Sequence, residues 1–92
     1  MKIFCQIYKS AKNTEMYLYV EKSRGLEDVP AALMKRFGEP ETLMTLILEP
    51  GKKLARAKVD EVMREITDTG FYLQMPPTAA ELYQREASDR DD

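Results

Sequence analysis

The sequence predicts a single small domain of the α/β (α+β) class: a four-stranded sheet in the order ββαβαβ, packed by two helices. Three observations carry this prediction. Four stretches show the two-residue alternation or the short apolar run of a β-strand. Two stretches among them repeat apolar residues every three or four positions, as one face of a helix does. Isolated glycines and prolines stand at most of the boundaries. With 92 residues, the chain has room for one core and no second.

The first strand is Lys2 to Lys9, where Ile3, Cys5 and Ile7 alternate with Phe4, Gln6 and Tyr8. Ser10 to Thr14 is polar and turn-rich. Glu15 to Glu21 then alternates again, with Met16, Leu18 and Val20 on one face. Glu15, Tyr17, Tyr19 and Glu21 make the other, wetter face. Two such runs with a short polar connection predict an antiparallel hairpin. Leu26, Val29, Leu33 and Phe37 form one stripe of a first helix. Asp28 is suited to cap its start, Pro30 to its first turn and Gly38 to its end.

Glu39-Pro40 breaks the chain before a third strand, Thr42 to Leu48. That strand is apolar on both faces apart from Thr45, which predicts a central place in the sheet. Glu49-Pro50-Gly51 marks a turn. A second helix is expected from about Ala57 to Thr69, with Val59, Val62, Met63 and Ile66 toward the core and no evident N-cap. Gly70 ends it. Phe71 to Met75 reads as a fourth strand, stopped by Pro76-Pro77. Thr78 to Glu81 has capping-box spacing, so a short helix anchored by Leu82 and Tyr83 is expected to about Glu86. The domain is thus drawn as 1–77, followed by 78–92 as a short helix and an acidic, disordered tail. Both later connections are long enough to be crossovers, which favours a mixed sheet. The pattern does not say which face each helix covers.

Composition narrows function mainly by exclusion. Histidine is absent, which removes the commonest general base and the commonest metal ligand. Cys5 stands alone, so neither a disulfide nor a thiolate zinc site forms within one chain, and a reducing, cytoplasmic setting fits. Among Ile3 and Ile7 it reads as a core residue. The four glycines stand apart at element boundaries, so no phosphate-cradling loop is present. Glu61 and Glu65, one helical turn apart, read as a solvated pair rather than a magnesium site. No catalytic residue, cofactor or metal is therefore expected. Met1 to Lys9 does not read as a secretion signal, and no apolar run approaches the ~20 residues of a membrane span. The net charge is −2, and it is unevenly placed. From Thr78 onward five acids face two arginines, a net of −3, so the preceding body carries about +1.

Two contact surfaces stand out. Lys52, Lys53, Arg56 and Lys58 form a basic run before the second helix, where an anion would be welcome. Lys9 and Lys12 in the hairpin add to it if the fold brings them close. Tyr17 and Tyr19 share one side of the second strand, as base-stacking aromatics do on some RNA-binding sheets, although Glu15 and Glu21 share that side. The solvated loop and the helix-covered strand are the plainer alternatives.

The strings EMYLYV (15–20), VPAALMKRFGEPETLMTLIL (29–48), KKLARAKV (52–59) and GFYLQMPP (70–77) resemble the YcgL domain family of small bacterial proteins. The similarity runs from about residue 3 to 77. It implies an α/β/α sandwich with a distinctive topology, and carries no catalytic residues with it. In some bacteria such proteins are encoded beside an exoribonuclease of the RNase D type, an association that points toward RNA metabolism. The expectation is a non-catalytic binding module acting through a protein or RNA partner. The alternative is a small enzyme using Asp, Glu, Lys or Tyr as acid or base.

Overall fold

The structure is a computed structural model that describes residues 2–54, 57–80 and 82–83. The elements follow the expected order: β1 (Ile3–Ser10), β2 (Tyr17–Glu21), α1 (Ala31–Phe37), β3 (Pro40–Leu48), α2 (Val59–Thr69) and β4 (Phe71–Gln74). They form one four-stranded sheet in the order β3-β1-β2-β4.

The hairpin is the centre of this sheet. Ile7 lies opposite Tyr19 and Lys9 opposite Tyr17. The outer pairings correct the expected mixed sheet. β3 runs antiparallel to β1, with Ile3 opposite Leu48, and β4 runs antiparallel to β2, with Val20 opposite Phe71. Every pairing is therefore antiparallel. The α1 crossover steps over β1 and the α2 crossover over both hairpin strands, so the strands each joins are never neighbours. β3, expected in the interior, is an edge strand.

The helices lie on opposite faces, which makes an α/β/α sandwich. On one face Val59, Val62, Met63 and Ile66 of α2 pack on Ile3, Cys5, Ile7, Tyr19 and Leu48. On the other, Phe37 of α1 and the preceding Val29 pack on Met16, Leu18 and Val20. Cross-strand partners share a face, so this division follows directly from the hairpin register.

α1 is secured from outside its own length. Asp28, expected to cap α1, binds Arg24 instead, and Pro30 holds the N-cap position without a side-chain bond. At the other end the hairpin turn supplies the cap. Ser10 Oγ donates to the Phe37 carbonyl at 2.5 Å and accepts the Asn13 amide at 2.8 Å. Asn13 Nδ2 donates to the Arg36 carbonyl at 2.9 Å. Carbonyls that a seven-residue helix leaves open are thus closed by β1–β2 residues. α2 starts two residues later than expected, after an extended Lys58, with Asp60 and Glu61 favourably placed in its first turn.

β3 and β1 are out of simple register between Ile7 and Tyr8, where Leu43 is the extra residue of a bulge. The buried Gln6 holds it, donating to the Met44 carbonyl at 2.9 Å and accepting from Thr45 Oγ1 at 3.2 Å. A last helical turn begins at residue 79, where the Leu82 amide donates to the Thr78 carbonyl at 2.9 Å. Leu82 and Tyr83 are exposed there and do not anchor it. The expected continuation to Glu86 and the acidic tail fall outside the described residues.

Candidate interaction surfaces

β3 finishes and β4 begins at the same end of the sheet, since Leu48 faces Ile3 and Phe71 faces Val20. α2 must therefore start at the opposite end of the sheet and climb back, because Gly70 leads straight into β4. Pro50 lies alongside Met63 and Thr67 of the helix, as that path requires. The basic run sits in segment 49–58. Lys53 and Lys58 are joined by an isolated antiparallel bridge, which sets two exposed lysines side by side before α2. Lys52 Nζ donates to the Ile47 carbonyl at 2.7 Å, so its charge lies on the rim of β3. Arg56 falls outside the described residues.

The hairpin lysines go elsewhere. Lys9 is 3.8 Å from Glu41 and faces Tyr17 across the strands. Lys12 is exposed in the turn, its side chain lying over Gly38 at the end of α1. The tyrosine face is the one α2 covers, so the expectation of a wetter side is corrected. Tyr19 is only 8% exposed, and its hydroxyl donates to Gln74 Oε1 at 3.1 Å. Its ring meets Tyr72 edge-on at 5.6 Å. Tyr17 is half-buried against the same cluster. Tyr19 thus shows little of its ring to solvent, while Tyr17 keeps part of its surface open.

The ionisable groups offer little chemistry. A groove of about 510 Å³ is lined by Lys2, Glu21, Arg24, Asp28, Asp68 and Gly70, among others. Its centre is the bidentate pair of Arg24 with Asp28, at 2.6 Å (Nε–Oδ2) and 3.0 Å (Nη2–Oδ1). These hydrogen bonds hold the Asp28 carboxyl below its usual range and the guanidinium firmly charged. Burial pushes the Cys5 thiol up to about 12, so a nucleophilic thiolate does not form at neutral pH. Among the described residues no three His, Cys, Asp or Glu side chains gather closely enough to hold a metal ion. No helix among them is long and apolar enough to cross a membrane.

One surface was not legible in the sequence. On their face of the sheet α1 and its loop pack on β2, β4 and Tyr8 of β1, and among the described residues they leave β3 and the Phe4 end of β1 bare. Phe4 and Ile47, directly opposite each other there, are 58% and 40% exposed, and Leu43 farther along β3 is 46% exposed. Apolar residues on a strand normally signal an interior position, so nothing in the pattern marks these as surface.

Together, the antiparallel sheet in the order β3-β1-β2-β4 and the single helix on each face define a compact two-helix α/β/α sandwich domain. The chain belongs to the YcgL domain family, which it matches over residues 5–77. It is 53% identical over 79 residues to a YcgL domain-containing protein of Chromohalobacter salexigens, covering 86% of this chain and 81% of that one. With a YcgL domain-containing protein of Saccharophagus degradans it shares 51% over 80 residues, 87% of each chain. With Protein YcgL of Salmonella paratyphi A the identity is 43% over 86 residues, covering 94% of this chain and 78% of the relative.

Proposed function

We propose that the protein is a non-catalytic binding module that acts in the cytoplasm by docking a protein partner on the bare half of its sheet. The observation that supports this is the exposure of Phe4, Ile47 and Leu43 on the part of the sheet that α1 leaves open. Exposed apolar residues that adjoin one another on a rigid sheet favour contact with another apolar surface. The test is affinity capture of the tagged protein and of a Phe4→Glu variant, each with and without nuclease. A partner that survives nuclease and is lost with Phe4→Glu, at unchanged thermal stability, supports the reading. A partner indifferent to that substitution sinks it.

A second reading, RNA contact at Lys52, Lys53, Arg56 and Lys58, draws on the bridge that sets Lys53 beside Lys58. It predicts retention on single-stranded RNA that weakens steeply with salt. Changing Lys52, Lys53 and Arg56 to alanine together should abolish that retention. The enzyme alternative has less behind it, because the groove's central carboxylate is already engaged by Arg24.

A further inference from the structure

We propose that the open part of the sheet takes one amphipathic helix of a protein partner, apolar on one face and bearing carboxylates beside that face. This rests on the docking reading above and names the chemistry of its partner. Strands lie about 4.8 Å apart and a helix is about 10 Å across, so one helix covers about two strands. α1 and its loop stand on β2, β4 and Tyr8, while α2 packs on the opposite face. The open part is therefore a step about one helix deep. A helix seated beside α1 fills it, whereas a flat lipid surface would meet α1 first.

The apolar positions suit the same shape. Phe4 and Ile47 lie directly opposite each other. Leu43 is four positions back along β3, about 13 Å in an extended strand. Positions i, i+4 and i+8 of a helix span about 12 Å, so one apolar stripe reaches all three side chains. Adding a strand to the β3 edge is less favoured, because Lys52 Nζ already holds the Ile47 carbonyl at 2.7 Å.

Charge selects what flanks that stripe. The Lys22 amide donates to the Phe4 carbonyl at 2.8 Å, which continues the hairpin register and puts Lys22 on the face of Phe4. Among the described residues neither Lys22 nor Lys52 has a carboxylate within salt-bridge distance. Lys2 is offset by Glu49 at 3.9 Å. The one acid of β3, Glu41, sits with Lys9 on the opposite face. The Phe4–Ile47 end is thus bordered by two uncompensated cations. They repel a second copy of the same face and attract carboxylates.

Fluorescence anisotropy on the full chain tests this with a labelled helical peptide of about 14 residues. The peptide carries leucines at i, i+4 and i+8 flanked by glutamates, and its twin carries lysine in place of each glutamate. The acidic peptide should bind at least roughly tenfold tighter, as two attractions in place of two repulsions would give. That preference should shrink as salt is added. Phe4→Glu should remove binding of both peptides at unchanged melting temperature. Lys22→Glu combined with Lys52→Glu should reverse the order, which damage to the fold would not do. No binding of the acidic peptide, equal binding of the two, or binding to phosphatidylglycerol vesicles but not to the peptide overturns the proposal. A cellular partner that still depended on Phe4 would then leave the docking reading standing, with a partner of other chemistry.

Discussion

On the β2–β4 side of the sheet both faces are roofed, by α2 above and by α1 with its preceding loop below. On the β1–β3 side α2 covers β1 on one face while Met44 of β3 stays exposed there, and on the other face β3 and the Phe4 end of β1 are bare among the described residues. Leu18, Val20 and Phe37 are fully buried in the first region, while Phe4 is 58% exposed in the second. The same residue type therefore contributes very differently to stability in the two regions. Burial that removes apolar surface from water is worth about 25 cal/mol per Å². An exposed ring gains little of this in the monomer and offers it to a binding partner instead. The roofed half holds the fold, and the bare half is free to bind.

The largest expected effect sets two phenylalanines against each other. Phe37→Ala empties the centre of the α1 cluster and should cost ~3–5 kcal/mol. Phe4→Ala should shift stability by only ~0.5 kcal/mol. Urea unfolding of both variants measures the difference, and equal losses would break the contrast between the two regions.

Two glycines sharpen it next. Gly70, which ends α2 on the roofed side, has φ +95°, and a Cβ there would lie 2.4 Å from Asp28 Cβ. Gly51, in the turn after β3, has φ +88° with nothing within 4 Å. Alanine at either position meets left-handed strain of about 1–2 kcal/mol. Gly70→Ala should lose roughly 1 kcal/mol more, because the Asp28 side chain must move. Similar thermal shifts for both variants would mean that the Asp28 contact yields without cost.

The smallest effect concerns Arg24 and Asp28, a partly exposed pair beside Gly70. The folded state holds the Asp28 carboxyl below its unfolded value of ~3.9. The stabilisation is therefore present above that value and is lost as pH falls through the lower folded one. Asp28→Asn should melt slightly below the parent near neutral pH and converge with it in acid. A gap that widens in acid would show that the pairing does not stabilise the fold.

How much of this was legible can be judged strand by strand. All six elements were visible, because periodicity and boundary glycines are local properties of the chain. The misread positions are β2 and β3, and in opposite senses. Glu15, Tyr17, Tyr19 and Glu21 look like a wet face, yet α2 covers Tyr19. Thr42 to Leu48 looks like an interior strand, yet it forms an edge. Alternation reports which residues share a face and is silent on what lies over that face or beside the strand. The basic run was found as a string, but its division into a Lys52 bound to the Ile47 carbonyl and a bridged Lys53–Lys58 pair is set by the fold.

The sequence by itself determined the class of fold, the element order, the identity of most core residues and the absence of histidine, disulfide and thiolate-cluster chemistry. These follow from composition and from spacing along the chain. Only the tertiary structure decided strand order, the opposite placement of the two helices, and the place of β3 at the sheet edge with one face bare among the described residues. Those depend on which strands become neighbours. That choice is made by long-range pairing, and similar local patterns suit a central strand and an edge alike.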